Sequence, residues 1–222
     1  GINARLIFSL FSSFNFDNLP SDSIYELLED GKNRLWIGTE KGVSLKLPND
    51  QFQKYYFKNN QGVKTDLGDI NKLYEDSIGQ IWVGSNDHGL LRLNENKQEF
   101  EHYNIKNGIT SVRNIQEDVN GNIWVSVLNQ GVYILDSKTV RLITKFEQDT
   151  KDVHGLLSDF IRVMFLDSKG TLWLGDTRDN EYGLFKYLED DNIFKSFQYS
   201  TTDSLSLSSN EIRSLMEDDL QR

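Results

Sequence analysis

Short apolar stretches recur along the chain, and each is followed by a polar turn and a second apolar stretch. The first member of each pair has the length of a strand and carries apolar residues at recurring positions. These first members are Ile24–Glu29, Ile70–Glu75, Val112–Glu117, Ile161–Leu166 and Ile212–Glu217. The pattern therefore predicts an all-β chain of short strands.

The four tryptophans all occur in the second apolar stretch, and each follows an aspartate by six residues. The pairs are Asp30 and Trp36, Asp76 and Trp82, Asp118 and Trp124, and Asp167 and Trp173. Successive tryptophans are 46, 42 and 49 residues apart. A period in this range indicates a repeat protein whose length variation falls in loops. A fifth unit begins at Glu211 and continues to Asp218.

The segment between each aspartate and tryptophan has the composition of a hairpin turn. Aspartate at the start of a type I turn accepts hydrogen bonds from the backbone ahead of it, and glycine adopts the positive φ that closes the loop. Gly79, Gly121 and Gly170 occupy that place, and Asn33 occupies it in the first unit. Both the aspartates and the tryptophans are thus expected to be structural, with the tryptophans packed between repeats.

Two more strands follow in each unit. The third begins at Gly42, Gly89, Gly131 and Gly183, and the fourth is the aromatic segment Phe52–Phe57, Phe100–Tyr103, Arg141–Phe146 or Ile193–Tyr199. Four strands in such a period are typical of a β-propeller blade. An ordinary β-sandwich would not give all four tryptophans the same turn and spacing.

We therefore predict a β-propeller of four-stranded antiparallel blades, with four complete repeats and the start of a fifth. The blades are assigned to residues 17–60, 61–105, 106–152 and 153–202, with a partial blade at 203–222 and an edge or closing strand within residues 1–16. An open arc or partial propeller is favoured over a closed four-bladed ring. The exposed blade faces of an arc would promote association, so a homodimer is a candidate assembly.

The repeat resembles the two-component regulator propeller repeat. The resemblance is carried by Leu35–Thr39 followed by Gly42, by Ile81–Ser85 followed by Gly89, and by the lead-in Leu156–Ile161. Two features depart from the family pattern. Ser126 stands where the family has glycine, and Val43–Leu47 differs from the usual third strand, so altered strand geometry is expected in blades three and one.

The resemblance implies the periplasmic sensor region of a bacterial hybrid two-component system, anchored to the inner membrane by another part of the parent protein. It implies a non-catalytic segment that binds an oligosaccharide or another small extracellular ligand. The remaining propeller blades and a membrane-linked kinase of the parent protein are the implied partners. No kinase histidine box or receiver aspartate pocket is recognisable in these 222 residues.

Composition excludes several other classes of protein. The formal net charge of -10 argues against nucleic-acid binding, which needs a basic face. Zero cysteines exclude disulfides, cysteine-ligated metals and a thiol nucleophile. No apolar run reaches the ~18 residues of a membrane span, so no direct membrane insertion is expected. Leu6–Phe11 reads as an edge strand or as the tail of a signal peptide.

Neither a catalytic residue nor a metal or cofactor is predicted. His88, His102 and His154 lack the spacing of a zinc site. The acidic clusters Glu189–Asp191 and Glu217–Asp219 place neighbouring carboxylates on opposite faces of an extended strand, unlike a glycosidase pair. The segment Asp118–Asn122 lacks the distal glutamate of a calcium loop.

Ligand binding is expected where the repeats differ, in the loops between the second and third strands. From tryptophan to the third-strand glycine the distances are 6, 7, 7 and 10 residues, so the loop of blade four is enlarged. Hydrogen-bonding and stacking groups suited to a carbohydrate or an anionic ligand occur there and at the same place in blades two and three. The candidates are Arg178, Asp179, Asn180, Tyr182, Asn86, Asp87, His88, Asn129 and Gln130.

Two alternative functions stay open from the sequence. Propeller enzymes of the streptogramin-lyase type also repeat the motif seen at Asp118–Trp124, but they need a catalytic histidine with acid and metal support. A structural protein-interaction module is the second alternative, because repeat folds also serve as binding scaffolds.

Overall fold

The computed structural model describes residues 19–49, 51–103, 108–152, 154–178 and 182–221, and all structural statements below refer to these residues. Within these ranges the chain contains strands and turns but no helix. The predicted closing strand in residues 1–16 lies outside the described ranges. The chain forms two compact units, the first ending at residue 104 and the second beginning at residue 105.

The first unit contains two sheets. One sheet has the order β1-β2-β3-β4 and is antiparallel throughout; its strands are β1 (Ile24–Glu29), β2 (Leu35–Thr39), β3 (Gly42–Lys46) and β4 (Phe52–Lys54). The other has the order β6-β5-β10-β9-β8-β7; its strands are β5 (Phe57–Lys58), β6 (Lys64–Thr65), β7 (Ile70–Glu75), β8 (Ile81–Ser85), β9 (Gly89–Asn94) and β10 (Glu99–His102).

The second unit contains two four-stranded antiparallel sheets. The first has the order β11-β12-β13-β14, built from β11 (Val112–Glu117), β12 (Asn122–Val127), β13 (Gly131–Asp136) and β14 (Leu142–Phe146). The second has the order β15-β16-β17-β18, built from β15 (Ile161–Leu166), β16 (Leu172–Asp176), β17 (Leu184–Leu188) and β18 (Ile193–Phe197). The all-β prediction of four antiparallel propeller blades is confirmed.

One predicted strand is wrong in its extent. The sequence places Phe57 at the end of the fourth strand of blade one, but that strand ends at Lys54. The chain then crosses to blade two, where β5 pairs in parallel with β10 through Phe57 and Phe100. The cause is apolar burial: Phe57 is 3% exposed, and Tyr55, also 3% exposed, packs 5.8 Å from Phe100 between ring centres.

The two departures from the family pattern leave strand geometry unchanged. The first strands of all four blades share a register shift after their first residue. Ser126 pairs with Asn114 as Gly38 pairs with Glu26, and Val43–Lys46 pairs regularly within blade one. These strand pairs therefore lack the altered geometry expected in blades one and three, although blade three carries a register shift elsewhere, between β13 and β14 at Ile134 and Leu135. Ser126 is accommodated with its hydroxyl buried and without a hydrogen-bond partner in the part of the chain that the structure describes.

Tryptophans form part of the packing between neighbouring sheets. In the first unit, Trp36 of β2 is fully buried and its ring centre lies 6.2 Å from that of Phe100 in the next sheet. In the second unit, Trp124 of β12 is 1% exposed and lies 4.8 Å from Tyr187 of β17. Edge-to-face contacts of this kind add to the area that each sheet buries against its neighbour.

Carboxylates also tie adjacent repeats together. Glu75, at the end of β7, accepts a hydrogen bond from the Gly31 N–H of the preceding turn at 2.7 Å. Glu217 accepts corresponding bonds from the Ser168 N–H at 2.8 Å and from the Ser168 hydroxyl at 3.0 Å. Residues 211–217 thus lie against blade four much as β7 lies against blade one.

Candidate functional site

The repeated aspartates hold the tryptophans of the second strands. One carboxylate oxygen of each aspartate accepts the indole N–H six residues ahead, at distances of 2.8, 2.8, 2.9 and 2.9 Å in blades one to four. The other oxygen accepts the backbone N–H groups two and four residues ahead. This double role explains why the spacing of six is kept in every blade.

The hydrogen bonds to these aspartates favour the charged carboxylate. Burial acts to raise the pKa of Asp30 and Asp167, but the bonds donated by Trp36 and Trp173 and by the turn backbone hold both pKa values below the ordinary value. Both oxygens of each carboxylate are therefore used within the repeat. The repeated positions form the scaffold of each blade.

Each sheet has two distinct ends. At the turn end, the aspartate turn joins the first and second strands. At the loop end, the second strand passes to the third and the first strand begins. Ile161 of β15 pairs with Asp176 of β16, and Val112 of β11 pairs with Val127 of β12, so both pairs mark the loop end. The predicted ligand loops lie at this end.

Arg178 joins the enlarged loop of blade four to two other segments at the loop end. Its Nη2 donates to Asn129 Oδ1 and to Asp159 Oδ1, each at 2.9 Å. Its guanidinium carbon lies 4.5 Å from the centre of the Phe160 ring. The arrangement brings the loops of blades three and four into direct contact within the second unit.

Asp176, two residues before Arg178, is a fully buried acid at the loop end. Its Oδ1 accepts the Arg178 N–H at 2.7 Å, while its Oδ2 has no hydrogen-bond partner among the described residues. Burial raises the pKa of Asp176, although the bonds from Arg178 and Ser158 act in the opposite direction. Blades one and two have Thr39 and Ser85 at the same place, so the acid is particular to blade four.

The other predicted ligand residues of the second unit lie in different surroundings. Gln130 donates to the Thr110 hydroxyl at 3.3 Å and accepts the Tyr133 hydroxyl at 3.0 Å. Tyr182 packs against the apolar core of the second unit. Asp179 and Asn180 lie outside the described residues. Of the predicted set, Arg178 and Asn129 are therefore the pair in direct contact.

In the first unit the predicted loop residues are engaged in the local fold. Asp87 Oδ2 accepts the Asp69 N–H at 2.9 Å, and the Asn86 N–H donates to the Asp69 carbonyl at 2.7 Å. The His88 ring centre lies 4.8 Å from that of Phe57, the residue that crosses into blade two. Asn86 and Asp87 thus tie the loop to Asp69, and His88 packs against the crossing segment.

The histidines show no arrangement suited to a metal. The His102 ring centre lies 5.6 Å from that of Phe57, and burial lowers the pKa of His102. The His154 N–H donates to Asp152 Oδ1 at 2.9 Å. Across the described ranges, no group of three or more histidine, aspartate or glutamate side chains is placed to hold a metal ion.

Sequence reasoning missed Asp159, Phe160 and Asp176. Asp159 and Phe160 immediately precede β15 and become neighbours of Arg178 only through folding. A signal existed for Asp176, because an acid replaces the small hydroxyl of Thr39 and Ser85 three residues after the tryptophan. Comparison of equivalent repeat positions would have found it.

Comparison with known families confirms the resemblance of the repeats. Three segments, residues 18–41, 66–87 and 155–178, match the family described as two component regulator propeller. The chain is also 33% identical over 84 residues to Histidine kinase P4 of Formosa agariphila. That match covers 34% of this chain and 6% of the kinase, so the chain corresponds to a small part of its relative.

Solved structures share the fold. Extracellular domains of two hybrid two-component systems from B. thetaiotaomicron superpose with TM-scores of 0.67 and 0.68 at 20% and 23% identity. The matches cover 85% and 83% of this chain and 26% of each of those chains. Virginiamycin B lyase from Staphylococcus aureus gives a TM-score of 0.64 at 19% identity, covering 83% of this chain and 59% of the lyase. None of the described residues forms a helix able to cross a membrane.

Proposed function

Because the chain carries two-component regulator propeller repeats, we propose that it is a non-catalytic, ligand-sensing segment of a bacterial two-component receptor. Its place is the periplasm, in the extracytoplasmic part of an inner-membrane protein whose kinase lies elsewhere. The likeness to extracellular domains of hybrid two-component systems and to a histidine kinase supports this assignment. The ligand is an oligosaccharide or another small extracellular molecule.

The observation that carries the proposal is the junction formed by Arg178. The aspartates and tryptophans that recur in each blade are used by the scaffold, whereas Arg178 joins segments that differ between blades. Its bonds to Asn129 and Asp159 link the two loops and the start of β15 through one side chain. A ligand that competes for the guanidinium changes all three contacts at once, which provides a route from binding to a change in blade packing.

The lyase alternative has weaker support. Its basis is a shared fold at 19% identity, and fold likeness does not carry an activity. In the first unit, His88 and His102 both pack against Phe57. Replacing His154 with alanine leaves ligand binding intact under the sensing proposal, whereas a lyase that used this histidine would lose turnover.

The sensing function is tested by calorimetric titration of the chain with a panel of neutral and acidic oligosaccharides, short peptides and small anions. We expect at least one oligosaccharide to bind, and Arg178→Ala to weaken that binding about tenfold or more, the usual effect of losing a charge-assisted hydrogen bond. Arg141→Ala serves as the matched control, because Arg141 is exposed and lies at the turn end of blade three.

Two results would contradict the proposal. One is the absence of binding for every member of the panel. The other is a combination of two findings. The Arg178→Ala variant binds the panel ligand as tightly as the parent chain, and a variant with the blade-four loop shortened to the length in blade two still binds a partner protein. The second result would favour the structural interaction module.

A further inference from the structure

The segment that follows blade four lies directly against the start of the enlarged loop of that blade. The Ile212 N–H donates to the Asp176 carbonyl at 2.8 Å. A Cβ added to Gly175 would lie 2.7 Å from Ile212 Cγ2. Gly38 and Ile70 show the same separation in the first unit. The segment is therefore both hydrogen-bonded to blade four and in close contact with β16.

The other end of the enlarged loop contacts the same segment. The Asp176 N–H donates to the Gly183 carbonyl at 2.9 Å, which holds the two ends of the loop together. A Cβ added to Gly183 would lie 3.1 Å from Asn210 Oδ1 and 3.4 Å from Leu207 Cδ1. Both ends of the loop thus rest on residues that lead into the following repeat. Because these contacts are close, a shift of the loop ends displaces those residues as well.

Arg178 connects the start of the loop to the junction described above. Its backbone N–H donates to Asp176 Oδ1 at 2.7 Å, while its Nη2 donates to Asn129 and Asp159. Asp176 thus accepts a hydrogen bond from Arg178 with its side chain and another from Ile212 with its carbonyl. One residue lies between the arginine of the candidate site and the following repeat.

The following repeat has a second anchor on blade four, away from the loop. Glu217 accepts the Ser168 N–H at 2.8 Å and the Ser168 hydroxyl at 3.0 Å, at the turn end of the sheet. Ile212 lies five residues before Glu217 and is anchored at the loop end. A change at the loop end alone would therefore tilt this segment about its turn-end anchor and would not detach it.

Blade one has the same contact with a shorter loop. A Cβ added to Gly42 would lie 3.5 Å from the Leu67 backbone nitrogen, in the segment that leads into β7. Gly42 follows Thr39 by three residues, and no arginine lies between them. Contact between the loop end and the following repeat therefore belongs to the fold. Among the four complete repeats, an arginine in this loop and an acid at its start occur in blade four alone.

We propose that Asp176 relays a change at the Arg178 junction to residues 211–217, the first segment of the following repeat. A ligand that competes for the guanidinium shifts the loop ends, and the Asp176 carbonyl carries the shift to the Ile212 N–H. The turn-end anchor stays in place, so the segment tilts. The proposal rests on the sensing function above and adds the path by which binding is transmitted.

Amide hydrogen exchange of the whole 222-residue chain, resolved by residue with NMR, tests the relay without a ligand. Arg178→Ala breaks the junction contacts in place of a ligand. The Ile212 amide reports on the loop-end anchor, and the Ser168 amide reports on the turn-end anchor. Asp176→Ala, Asp176→Asn and the control Arg141→Ala complete the set. Thermal unfolding verifies that each variant is folded.

We expect Arg178→Ala to speed exchange of the Ile212 amide at least about fivefold, the lower range of coupling between two sites, and to leave the Ser168 amide within about twofold of the parent rate. Asp176→Ala should speed the Ile212 amide similarly, because the Arg178 N–H loses its acceptor. Asp176→Asn should leave the Ile212 amide at the parent rate, since its side-chain oxygen still accepts that N–H. Arg141→Ala should change neither amide.

Other outcomes overturn the relay. One is an Ile212 amide that exchanges at the parent rate in Arg178→Ala or in Asp176→Ala. Another is equal acceleration at Ile212 and Ser168, which indicates general loosening of the unit. The sensing function is judged separately by the ligand panel. If no panel member binds while Ile212 responds, the relay stands and the sensing function fails. If a ligand binds through Arg178 and Ile212 does not respond, the sensing function stands and the relay fails.

Discussion

The hydrogen bond between Asp76 and Trp82 provides the sharpest test of how the blades are built. Asp76 is 4% exposed, and its Oδ2 accepts the indole N–H of Trp82 at 2.8 Å. Its Oδ1 accepts the N–H groups of Gln80 at 2.8 Å and Ile78 at 3.2 Å. Replacing Asp76 with alanine therefore removes three hydrogen bonds at once.

The expected loss of free energy of unfolding depends on whether each of the three donors can reach water once Asp76 is replaced. Trp82 has no exposed surface, so its indole N–H loses its acceptor without reaching water, which costs about 2 kcal/mol. The two backbone donors belong to a turn that includes exposed Ile78, and each contributes about 1 kcal/mol net. Asp76→Ala should thus lower the free energy of unfolding by about 4 kcal/mol and the Tm by about 10 °C.

Urea unfolding followed by far-UV circular dichroism measures this loss, and Asp136 supplies a control. Asp136 Oδ1 accepts the Thr139 N–H and the Thr139 hydroxyl, each at 2.7 Å, whereas the four indole N–H groups donate to other aspartates. Asp136→Ala should therefore cost much less than Asp76→Ala. The comparison isolates the buried indole bond from the turn itself.

A double-mutant cycle with Trp82→Phe separates the indole bond from loss of packing. The double variant should be less destabilised than the sum of the two single variants by about 2 kcal/mol, because the unpaired N–H is absent once the indole is removed. Additive single effects, or a cost of Asp76→Ala under about 1 kcal/mol, would refute the assignment of the repeated aspartate as an acceptor for the indole.

Three further substitutions test individual positions by the same urea unfolding. Gly38→Ala should destabilise by about 2 kcal/mol, because an added Cβ would lie 2.7 Å from Ile70 Cγ2; an unchanged midpoint would contradict this close approach. Ser126→Ala should stabilise by about 1 kcal/mol by removing a buried hydroxyl that has no hydrogen-bond partner among the described residues; a clear loss would show that the hydroxyl has one. Asp176→Asn should stabilise by about 1 kcal/mol at neutral pH. Burial raises the pKa of Asp176, so its favourable contribution is complete below the unfolded pKa of about 4 and is lost as the pH rises through the folded value. The advantage of the asparagine should therefore vanish in acid, and a pH-independent difference would contradict the burial of a charged group.

The fold could be predicted from the sequence because its determinants are local. The aspartate, the turn glycine and the tryptophan lie within seven residues of one another, and each blade repeats their hydrogen bonds. The crossing of Phe57 to blade two could not be predicted in the same way. The position of Phe57 depends on its burial beside Phe100, 43 residues away. The local pattern of residues is satisfied equally by Phe57 in the fourth strand of blade one and by Phe57 in β5.

Part of the candidate site could also be predicted from local sequence features. Loop length identified Arg178 and composition identified Asn129, and folding brings their side chains within hydrogen-bond distance. The neighbours Asp159 and Phe160 belong to a lead-in that looked like a family feature. Their position near Asn129 depends on the packing of β11 against β15, which strand patterns alone do not specify.

Burial of the Asp176 carboxylate is unfavourable for stability, and this residue connects the blade scaffold to the candidate site. Thr39 and Ser85 occupy the same repeat position, and their hydroxyls donate to backbone carbonyls at 3.0 and 2.7 Å. Asp176 replaces this satisfied arrangement with a buried carboxylate whose Oδ2 has no hydrogen-bond partner within the described ranges. Because a small hydroxyl would serve the scaffold better, stability does not explain the acid. The Asp176 carboxylate instead accepts a hydrogen bond from the Arg178 backbone N–H at the start of the loop whose Arg178 side chain contacts Asn129 and Phe160. The destabilising residue and Arg178 therefore occur at the same end of the same unit, as expected if the fold gives up stability to position the proposed ligand site.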